Sequence, residues 1–432
     1  MFICPDYPSI LGIMMKILMI IGDGMADRPI KELGGLTPLE FAQTVHMDRL
    51  ASLGVSGLLY AAGSGVACGS DVANLAILGY DPNRFYSGRG GFEACGVGVE
   101  MAFGDLAFRC DFATVNEDFY VVDARAGRVR EGLDELANAL ADLKLDNYSD
   151  LDLFYKRTLG HKGVLVLRGR DLSANVAADP PKVGCKASSV KPLDSSREAL
   201  KTSQVLNELI WSSYRLLRDH PVNRKRERKG FPPANVVIPW GAGTKPELEP
   251  FHSKYGLRGA CVAAASLIKG ICRLAGMTVV DVQGATGDLD TNINAKAEAA
   301  LDSLRSHDFV LVHIEAPDEA SHDGNVRGKI AMIQKIDEMV GKILDNVSLD
   351  DVCVALLSDH VTSTELRVHT ADPTPITIAG CGVVNDGVSS YNETLACKGR
   401  LGYIYGRDVM PTLLTFARRI AGSTHNRILK EF

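Results

Sequence analysis

The sequence lacks the patterns that mark several common classes of protein. Its ten cysteines include no CxxC pair and no close, even spacing of the kind found in disulfide scaffolds, which predicts a reducing, cytoplasmic setting. No long basic face runs through a chain of net charge −6, so we expect no nucleic-acid partner. There is no GxxxxGKS/T phosphate loop, no internal repeat and no low-complexity tract.

A signal for membrane association is also missing. The apolar start, residues 9–21, is short for a membrane span, is interrupted by Lys16, and leads to Asp23 without a small-residue cleavage site. We therefore expect no membrane partner. We also expect Met14 or Met15 to be the functional first residue, with Lys16 to Ile21 as the first buried strand and the preceding residues as a frayed extension.

What is present is a large globular chain with alternating strand and helix signals. Its 432 residues, 46% hydrophobic, allow a large core and two or three domains. One segment, Lys329 to Val347, repeats apolar residues at intervals of three and four and predicts a helix. Alternation of this kind predicts an α/β fold, with a mostly parallel sheet covered by helices. The strand-length apolar runs are Lys16 to Ile21, Val236 to Pro239, Thr278 to Val282, Phe309 to Ile314 and Val352 to Leu357.

The middle of the chain has a different pattern. Strands at Phe108 to Ala113, Phe119 to Asp123 and Gly163 to Leu167 surround helical pieces near Leu133 to Leu143. We interpret residues 107–196 as a smaller α+β domain inserted into a sheet domain made of residues 15–106 and 197–432. The basic run at 224–229 lies between His220-Pro221 and a Phe-Pro-Pro segment, which favours a solvated linker over a phosphate-binding patch.

Aspartate and histidine cluster in the last third of the chain. Asp318 and His322 are four residues apart, so both side chains leave one face of a helix if the segment after residues 309–316 is helical. Asp359 and His360 follow another apolar run, and His369 comes shortly after. Any one of these residues is equally well explained as an ordinary loop side chain. The series as a whole predicts a two-metal site of carboxylate and imidazole, which suits manganese, zinc, iron or cobalt better than calcium.

Two upstream residues complete the predicted site. Asp23 lies in a Gly-Asp-Gly sequence directly after the first strand, where flanking glycines permit a sharp turn, although a plain turn explains the pattern equally well. Ser70 follows a glycine-rich loop and begins an apolar-periodic helix, where serine is also a favoured cap. A helix start offers donors to a phosphate oxygen, and an adjacent metal ion would activate the Ser70 hydroxyl as a nucleophile.

A long ordered series of motifs resembles the archaeal-type cofactor-independent phosphoglycerate mutases of the alkaline phosphatase superfamily. The series covers nearly the whole chain from Lys16 onward. It comprises GDGMADRPIKELGGLTPLE at 22–40, GSDVANLAILGYDP at 69–82, GRGGFEACGVG at 88–98, LAFRCDFATV at 106–115, DARAGR at 123–128, HKGVLVLRG at 161–169, GATGDLDTN at 284–292, APDEASHDG at 316–324 and HTADPTP at 369–375.

The resemblance implies an alkaline-phosphatase-like fold and an enzyme that interconverts 3-phosphoglycerate and 2-phosphoglycerate without bisphosphoglycerate. It implies that Ser70 forms a phosphoserine intermediate at two divalent ions, with manganese favoured and zinc, cobalt or magnesium as alternatives. One ion would be held by Asp23, Ser70, Asp359 and His360, and the other by Asp318, His322 and His369. The substrate-binding candidates are Asn74, Arg109, Asp111, Arg125, Arg128, His161, Arg168 and Lys269.

Some positions depart from the family pattern. Many members read GSDTAH where this chain has Val72 and Asn74, RGAG where it has Trp240, and GDHSTP where it has residues 358–363. None of these changes removes a candidate ligand, but they lie around the expected pocket. They leave open a related metal-dependent phosphotransferase, such as a homoserine kinase-like enzyme, or an inactive metal-binding relative. The metal, the oligomeric state and a hydrolase outcome are not fixed by the sequence.

Overall fold

The computed structural model describes residues 15–141, 143–380 and 382–417. The strands are β1 (Lys16–Gly22), β2 (Gly54–Tyr60), β3 (Leu106–Val115), β4 (Val121–Asp123), β5 (Asp152–Arg157), β6 (Gly163–Arg168), β7 (Val176–Ala177), β8 (Lys191–Pro192), β9 (Val236–Gly243), β10 (Gly259–Val262), β11 (Thr278–Val280), β12 (Phe309–Ile314), β13 (Val352–Leu357), β14 (Val361–Ser363), β15 (Val368–Thr370), β16 (Thr374–Ala379) and β17 (Gly402–Tyr405).

The helices connect these strands and cover the sheets. They are α1 (Pro38–Phe41), α2 (Val45–Leu53), α3 (Ser70–Ile77), α4 (Pro82–Phe85), α5 (Arg89–Gly96), α6 (Leu133–Ala141), α7 (Arg197–Leu217), α8 (Pro221–Arg228), α9 (Phe251–Tyr255), α10 (Ser266–Leu274), α11 (Ile293–Ser306), α12 (Ala316–His322), α13 (Val326–Leu344), α14 (Glu393–Ala396) and α15 (Gly406–Phe416). No helix in the described ranges is long and apolar enough to cross a membrane.

The larger sheet has eight strands in the order β11-β10-β12-β1-β13-β16-β2-β17. From β11 to β13 all neighbours are parallel, whereas β16 runs antiparallel to both β13 and β2. The predicted α/β fold with a mostly parallel sheet is therefore confirmed. The antiparallel β16 was not predicted, and neither were β2, β10 and β17.

Both faces of the larger sheet are buried at its central strands β1, β12 and β13, which explains why these strands are continuous apolar runs. Along β1, Ile17, Met19 and Ile21 pack on one side with helices α3, α10 and α15. Leu18 and Ile20 pack on the other side with α2, α11 and α13. Alternate side chains of a strand point to opposite faces, so a strand covered by helices on both sides needs apolar residues at every position.

The second sheet is antiparallel, with the order β4-β3-β6-β5 and with β9 paired to β3. Its core includes apolar side chains from α6 and α7. The domain boundaries predicted from the sequence stay a prediction. Because β9 and α7 contribute to this sheet and its core, we propose that the smaller unit continues beyond residue 196, to about residue 243.

Two local expectations have different outcomes. The predicted helix near Lys329 to Val347 is present as α13, three residues earlier at each end. The basic run at 224–229 was expected to be a linker, and this was wrong, because its residues up to Arg228 form helix α8, which starts with His220 as its cap and Pro221 in its first turn. The predicted frayed extension and Met14 lie outside the described residues.

Candidate two-metal site

Three of the clustered acidic residues lie at one edge of the larger sheet. Asp23 directly follows β1, Asp318 lies on α12 after β12, and Asp359 follows β13. Because β1 is paired in parallel with both β12 and β13, the carboxyl ends of these strands are adjacent. Ligand sites of open α/β sheets lie at this edge. The order of the strands therefore brings Asp23 close to Asp318 and Asp359, which lie about 300 positions later in the sequence.

One group of side chains surrounds Ser70. Asp23, Asp359 and His360 each offer one ligand atom, and these atoms lie within 4.8 Å of one another. The hydroxyl of Ser70, the first residue of α3, donates to Asp23 Oδ1 at 3.1 Å and lies 3.1 Å from His360 Nε2. Gly24, with a φ of 55°, donates its N–H to Asp359 Oδ1, as expected for a tight turn after β1.

A second group lies beside the first and includes the remaining histidines. Asp318, His360 and His369 offer ligand atoms within 4.8 Å of one another. His322 and His369 each place Nε2 at 3.4 Å from Asp318 Oδ1, and their two Nε2 atoms are 3.1 Å apart. The helix predicted after β12 is present as α12, and it carries Asp318 and His322 one turn apart. The structure thus brings all seven predicted ligands together.

The donor set fits two divalent cations. Burial raises the pKa of Asp23 well above its ordinary value, and the neighbouring Asp359, Asp318 and Glu315 carboxylates raise it further. Such crowding of buried like charges is relieved by a bound cation. Two imidazole nitrogens converging on one carboxylate suit a transition metal or zinc better than calcium.

His313 is a further buried side chain of this site, and its hydrogen-bonding groups are unsatisfied within the described ranges. It is the penultimate residue of β12 and is buried, with its Nε2 atom 3.6 Å from Asp23 Oδ2. Neither of its ring nitrogens has a hydrogen-bond partner among the described residues. Burial is the main reason that its pKa falls to about 4, so this side chain is a neutral imidazole beside the carboxylates. His313 was not predicted from the sequence, since it belongs to an apolar strand.

Asn74 lies behind the nucleophile position. Its amide nitrogen donates to the backbone oxygen of Ser70 at 2.8 Å and to Asp359 Oδ2 at 2.9 Å. Its amide oxygen is buried and has no partner in the described part of the chain. Asn74 was predicted to bind substrate, and its amide group instead connects the start of α3 to the candidate ligand Asp359.

A narrow cleft opens beside Ser70 between the two sheets. Its cationic side chains are Arg89, Arg109 and Lys162, of which only Arg109 was among the sequence candidates. The cleft is lined by Asp23, Ser70, Arg89, Glu93, Arg109, Thr158, Leu159, Lys162, Ala265, Ser266, Leu267, Ile268 and Glu315. A basic pocket next to a nucleophile and a metal site can bind and transfer an anionic group.

Three sequence candidates from the smaller unit form one buried cluster. Arg109 donates through Nε to both oxygens of Asp111, at 3.0 and 3.1 Å. Asp111 also accepts a hydrogen bond of 3.0 Å from the indole N–H of Trp240. His161 is buried nearby, and this burial lowers its pKa to about 4 against the opposing charge of Asp111. Asp111 and His161 do not line the cleft themselves, and Asp111 supports the lining residue Arg109.

The other arginine and lysine candidates lie away from the cleft. Arg125 and Arg128 both pair with Glu319 and Asp323 and so connect the smaller unit to α12. Arg168 pairs with Asp105 at 2.7 Å. Lys269 pairs with Asp281 at 2.7 Å. The geometry does not support direct substrate contact by Arg168 or Lys269. Each is paired with a carboxylate that does not line the cleft.

Arg89 and Lys162 were not among the residues predicted from the sequence. Lys162 is adjacent to the candidate His161, and Arg89 is in the 88–98 motif, so both lay in segments that were already singled out. No spacing rule marks them, because they reach the cleft from α5 and from the turn before β6, which only the packing of the two sheets brings near Ser70.

Comparison with known proteins gives consistent matches over nearly the whole chain. A family model described as the metalloenzyme superfamily matches residues 15–415. A protein of Methanopyrus kandleri named 2,3-bisphosphoglycerate-independent phosphoglycerate mutase is 48% identical over 418 residues, covering 95% of this chain and 98% of the relative. A protein of Methanothermobacter thermautotrophicus named 2,3-bisphosphoglycerate-independent phosphoglycerate mutase 1 is 44% identical over 402 residues, covering 93% and 97%.

Solved structures agree with these sequence matches. A protein of Pyrococcus horikoshii superposes with a TM-score of 0.78 at 36% identity, covering 94% of this chain and 98% of the other. The cofactor-independent phosphoglycerate mutase of Thermoplasma acidophilum superposes with a TM-score of 0.60 at 35% identity, covering 94% and 100%.

Proposed function

The chain belongs to the metalloenzyme superfamily and, within it, to the 2,3-bisphosphoglycerate-independent phosphoglycerate mutases, and we propose that it interconverts 3-phosphoglycerate and 2-phosphoglycerate through a phosphoserine at Ser70. It is thus an isomerase that moves a phosphoryl group within one substrate. No bisphosphoglycerate takes part, because the enzyme itself stores the phosphoryl group.

The position of Ser70 is the observation that carries this proposal. Its hydroxyl lies at the start of α3, donates to Asp23 and opens onto the cationic cleft. The first turn of a helix has unpaired N–H groups and a positive dipole end, which stabilise a phosphoryl group bound there. A serine in this position is therefore placed to receive a phosphoryl group from a ligand in the cleft.

We propose that Asp23, Ser70, Asp359 and His360 hold one divalent ion and that Asp318, His322 and His369 hold the other. The ions would lower the pKa of the Ser70 hydroxyl and offset negative charge on the phosphoryl oxygens. Manganese is our preferred ion, with zinc, cobalt and magnesium as alternatives.

The reaction needs two transfers of the same group. Ser70 Oγ forms a bond to phosphorus as the bond to the glycerate oxygen breaks, and the hydroxyl proton of Ser70 is balanced by the proton that the departing oxygen takes up. The glycerate then turns within the cleft. Its other hydroxyl attacks the phosphoserine, loses its proton and restores Ser70.

Transfer to glycerate rather than to water requires a closed cleft. Lys162 donates to Glu315 at 2.7 Å and to Glu319 at 2.6 Å, which joins the smaller unit to α12 at the edge of the cleft. Arg125 reinforces this junction through Asp323 at 2.8 Å. These ion pairs support retention of the glycerate and exclusion of water between the two transfers.

The setting of the enzyme is part of the same proposal. A cytoplasmic location is supported by the free thiols of buried Cys110, Cys261 and Cys272, which suit a reducing compartment. The partner that we propose is a small phosphorylated hydroxy acid, and neither nucleic acid nor an oligomeric partner is required by the mechanism.

The deciding experiment is a coupled assay of 2-phosphoglycerate formation from 3-phosphoglycerate. The protein is first treated with a chelator and then supplied with manganese, cobalt, zinc or magnesium, without bisphosphoglycerate. We expect no turnover after chelation and recovery with at least one ion. Inactivity with every ion, together with ATP consumption in the presence of homoserine, would replace this proposal with a kinase activity.

A further inference from the structure

We propose that Trp240 positions Arg89 and Arg109 as a pair that binds the carboxylate of the substrate, and so selects phosphorylated hydroxy acids over phosphorylated alcohols. This inference rests on the proposed mutase function. It identifies the part of the cleft that binds the carboxylate end of the substrate, as distinct from the phosphoryl group that is transferred.

Trp240 lies at an irregular point between two strands of the smaller sheet. It is on β9 and is the cross-strand partner of Arg109 on β3, where the register of the pairing shifts. The following residue, Gly241, has a φ of 65°, a left-handed conformation that side chains disfavour. Irregularities of this kind redirect side chains next to functional sites.

The face of the indole ring lies under both guanidinium groups. The Cζ atom of Arg109 is 5.0 Å from the ring and that of Arg89 is 5.2 Å from it. An aromatic face attracts a cation without neutralising it. Trp240 therefore contacts both guanidinium groups through its ring face without occupying their N–H donors.

The N–H of the same ring fixes one of the two arginines indirectly. Indole Nε1 donates to Asp111 Oδ2 at 3.0 Å, and Asp111 accepts from Arg109 Nε at 3.0 and 3.1 Å. Glu93 has the equivalent role for Arg89, whose Nε donates to Glu93 Oε1 at 3.1 Å. Each guanidinium is thus held by a carboxylate at its Nε atom and by the indole ring at its face.

This arrangement leaves the outer nitrogens for a ligand. Arg89 and Arg109 both line the cleft with Ser70. Arg109 Nη1 lies 3.8 Å from Glu93 Oε1, which is an ion pair but is too long for a hydrogen bond, and in the described part of the chain no residue accepts a hydrogen bond from the terminal guanidinium nitrogens of Arg89 and Arg109. Paired guanidinium donors match the planar geometry of a carboxylate. A neutral hydroxymethyl group would offer these terminal nitrogens no anionic acceptor, so it would bind more weakly.

The test compares inhibitors that differ at the proposed carboxylate. Inhibition constants are measured on the metal-loaded enzyme for 2-phosphoglycolate, which has a carboxylate, and for glycerol 3-phosphate, which lacks one. For Trp240→Leu we expect the KM for 3-phosphoglycerate and the constant for 2-phosphoglycolate to rise about tenfold each, with a change below about twofold for glycerol 3-phosphate. Equal changes for the two inhibitors would indicate a merely structural role and overturn the inference.

Two further variants separate the effect of the Trp240 ring face from the effect of its N–H. Trp211→Phe is the control, because Trp211 stacks on Phe119 in the smaller unit at 3.9 Å and does not line the cleft. Trp240→Phe keeps an aromatic face but loses the N–H, and we expect a smaller rise of KM than for Trp240→Leu. A rise as large as that of Trp240→Leu would contradict the assigned role of the ring face.

A direct binding signal distinguishes failure of this inference from failure of the proposed function. The chain has two tryptophans, so Trp240 is the sole indole in the Trp211→Phe variant. We expect its fluorescence to change with 2-phosphoglycolate and to remain constant with glycerol 3-phosphate. If the wild type lacks mutase activity, the proposed function fails. If mutase activity is present but both ligands give the same fluorescence response, only the assignment of Trp240 fails.

Discussion

The ammonium nitrogen of Lys162 lies 2.6 Å from a carboxylate oxygen of Glu319. Lys162 belongs to the smaller unit, whereas Glu319 is next to the candidate metal ligand Asp318 on α12. Burial alone would lower the pKa of Lys162, but the carboxylates of Glu315 and Glu319 hold it above its usual value. The charge of Lys162 is therefore retained, and the helix that carries two candidate ligands is fixed from both units.

Replacing Lys162 by methionine tests this buried contact. The variant leaves Glu315 and Glu319 buried without their common cation, which is expected to lower the free energy of unfolding by about 3–5 kcal/mol. Urea denaturation provides the measurement. Lys335→Met is the control, because Lys335 is exposed, and its expected effect is below about 0.5 kcal/mol.

A second substitution shows whether the loss comes from the unpaired carboxylates. Glu319→Gln removes one of the two charges that Lys162 balances. The double variant with Lys162→Met should lose less stability than the sum of the single variants, because the remaining buried charge is smaller. Strict additivity would argue against direct coupling of the two residues.

Ser70→Ala removes the proposed nucleophile. We expect kcat to fall by at least about 10³-fold, since loss of a nucleophile removes the covalent route altogether. Metal binding should weaken without being abolished, because Asp23, Asp359 and His360 remain. Ser64→Ala, in the exposed part of the same loop, is the matched control and should keep its activity. A fully active Ser70→Ala enzyme would exclude the phosphoserine mechanism.

Arg109→Gln and Arg168→Gln separate an arginine of the cleft from one outside it. Arg109 lines the cleft, so its loss should raise the KM for 3-phosphoglycerate by about tenfold or more. Arg168 is paired with Asp105 and is partly exposed, so its loss should change KM by less than about twofold. The KM values of the two variants are compared by steady-state kinetics at a saturating metal concentration. The opposite ranking would restore Arg168 as a substrate contact.

The stability of the protein should depend on pH through His161. Burial lowers its folded pKa to about 4, whereas an unfolded histidine has a pKa of about 6.5. Between these values the unfolded chain binds a proton that the folded protein does not. The stabilising contribution is therefore complete above about pH 6.5 and is lost as pH falls towards 4, by about 2 kcal/mol between pH 7.5 and 5.

The variant His161→Gln isolates this contribution from those of other groups. We expect its free energy of unfolding to fall less than that of the wild type between pH 7.5 and 5, by the same amount of about 2 kcal/mol. His252→Gln is the control, because His252 is exposed, and it should follow the wild-type profile. Identical pH profiles for His161→Gln and the wild type would show that His161 is not kept neutral.

Several features of the fold follow from local sequence. The strands Phe309–Ile314 and Val352–Leu357 have the bounds that their apolar runs predicted, because strands buried on both faces are apolar at every position. The same reasoning fails for Val236 to Pro239, an equally apolar run that lies in the smaller sheet as part of β9. An apolar run shows that a strand is buried, but not which sheet buries it.

Sequence by itself predicted the carboxylates of the candidate metal site. Asp23, Asp318 and Asp359 each follow a predicted strand, and parallel strands end at one edge of their sheet, so local patterns were sufficient to expect that these carboxylates meet.

Only the tertiary structure decided which basic side chains face Ser70. Arg89 and Lys162 reach the cleft, whereas Arg168 and Lys269 are matched by acidic residues elsewhere. The physical reason is that a long charged side chain reaches several ångströms from its backbone and follows the nearest opposite charge, which depends on how the two sheets pack. Local spacing does not contain that information.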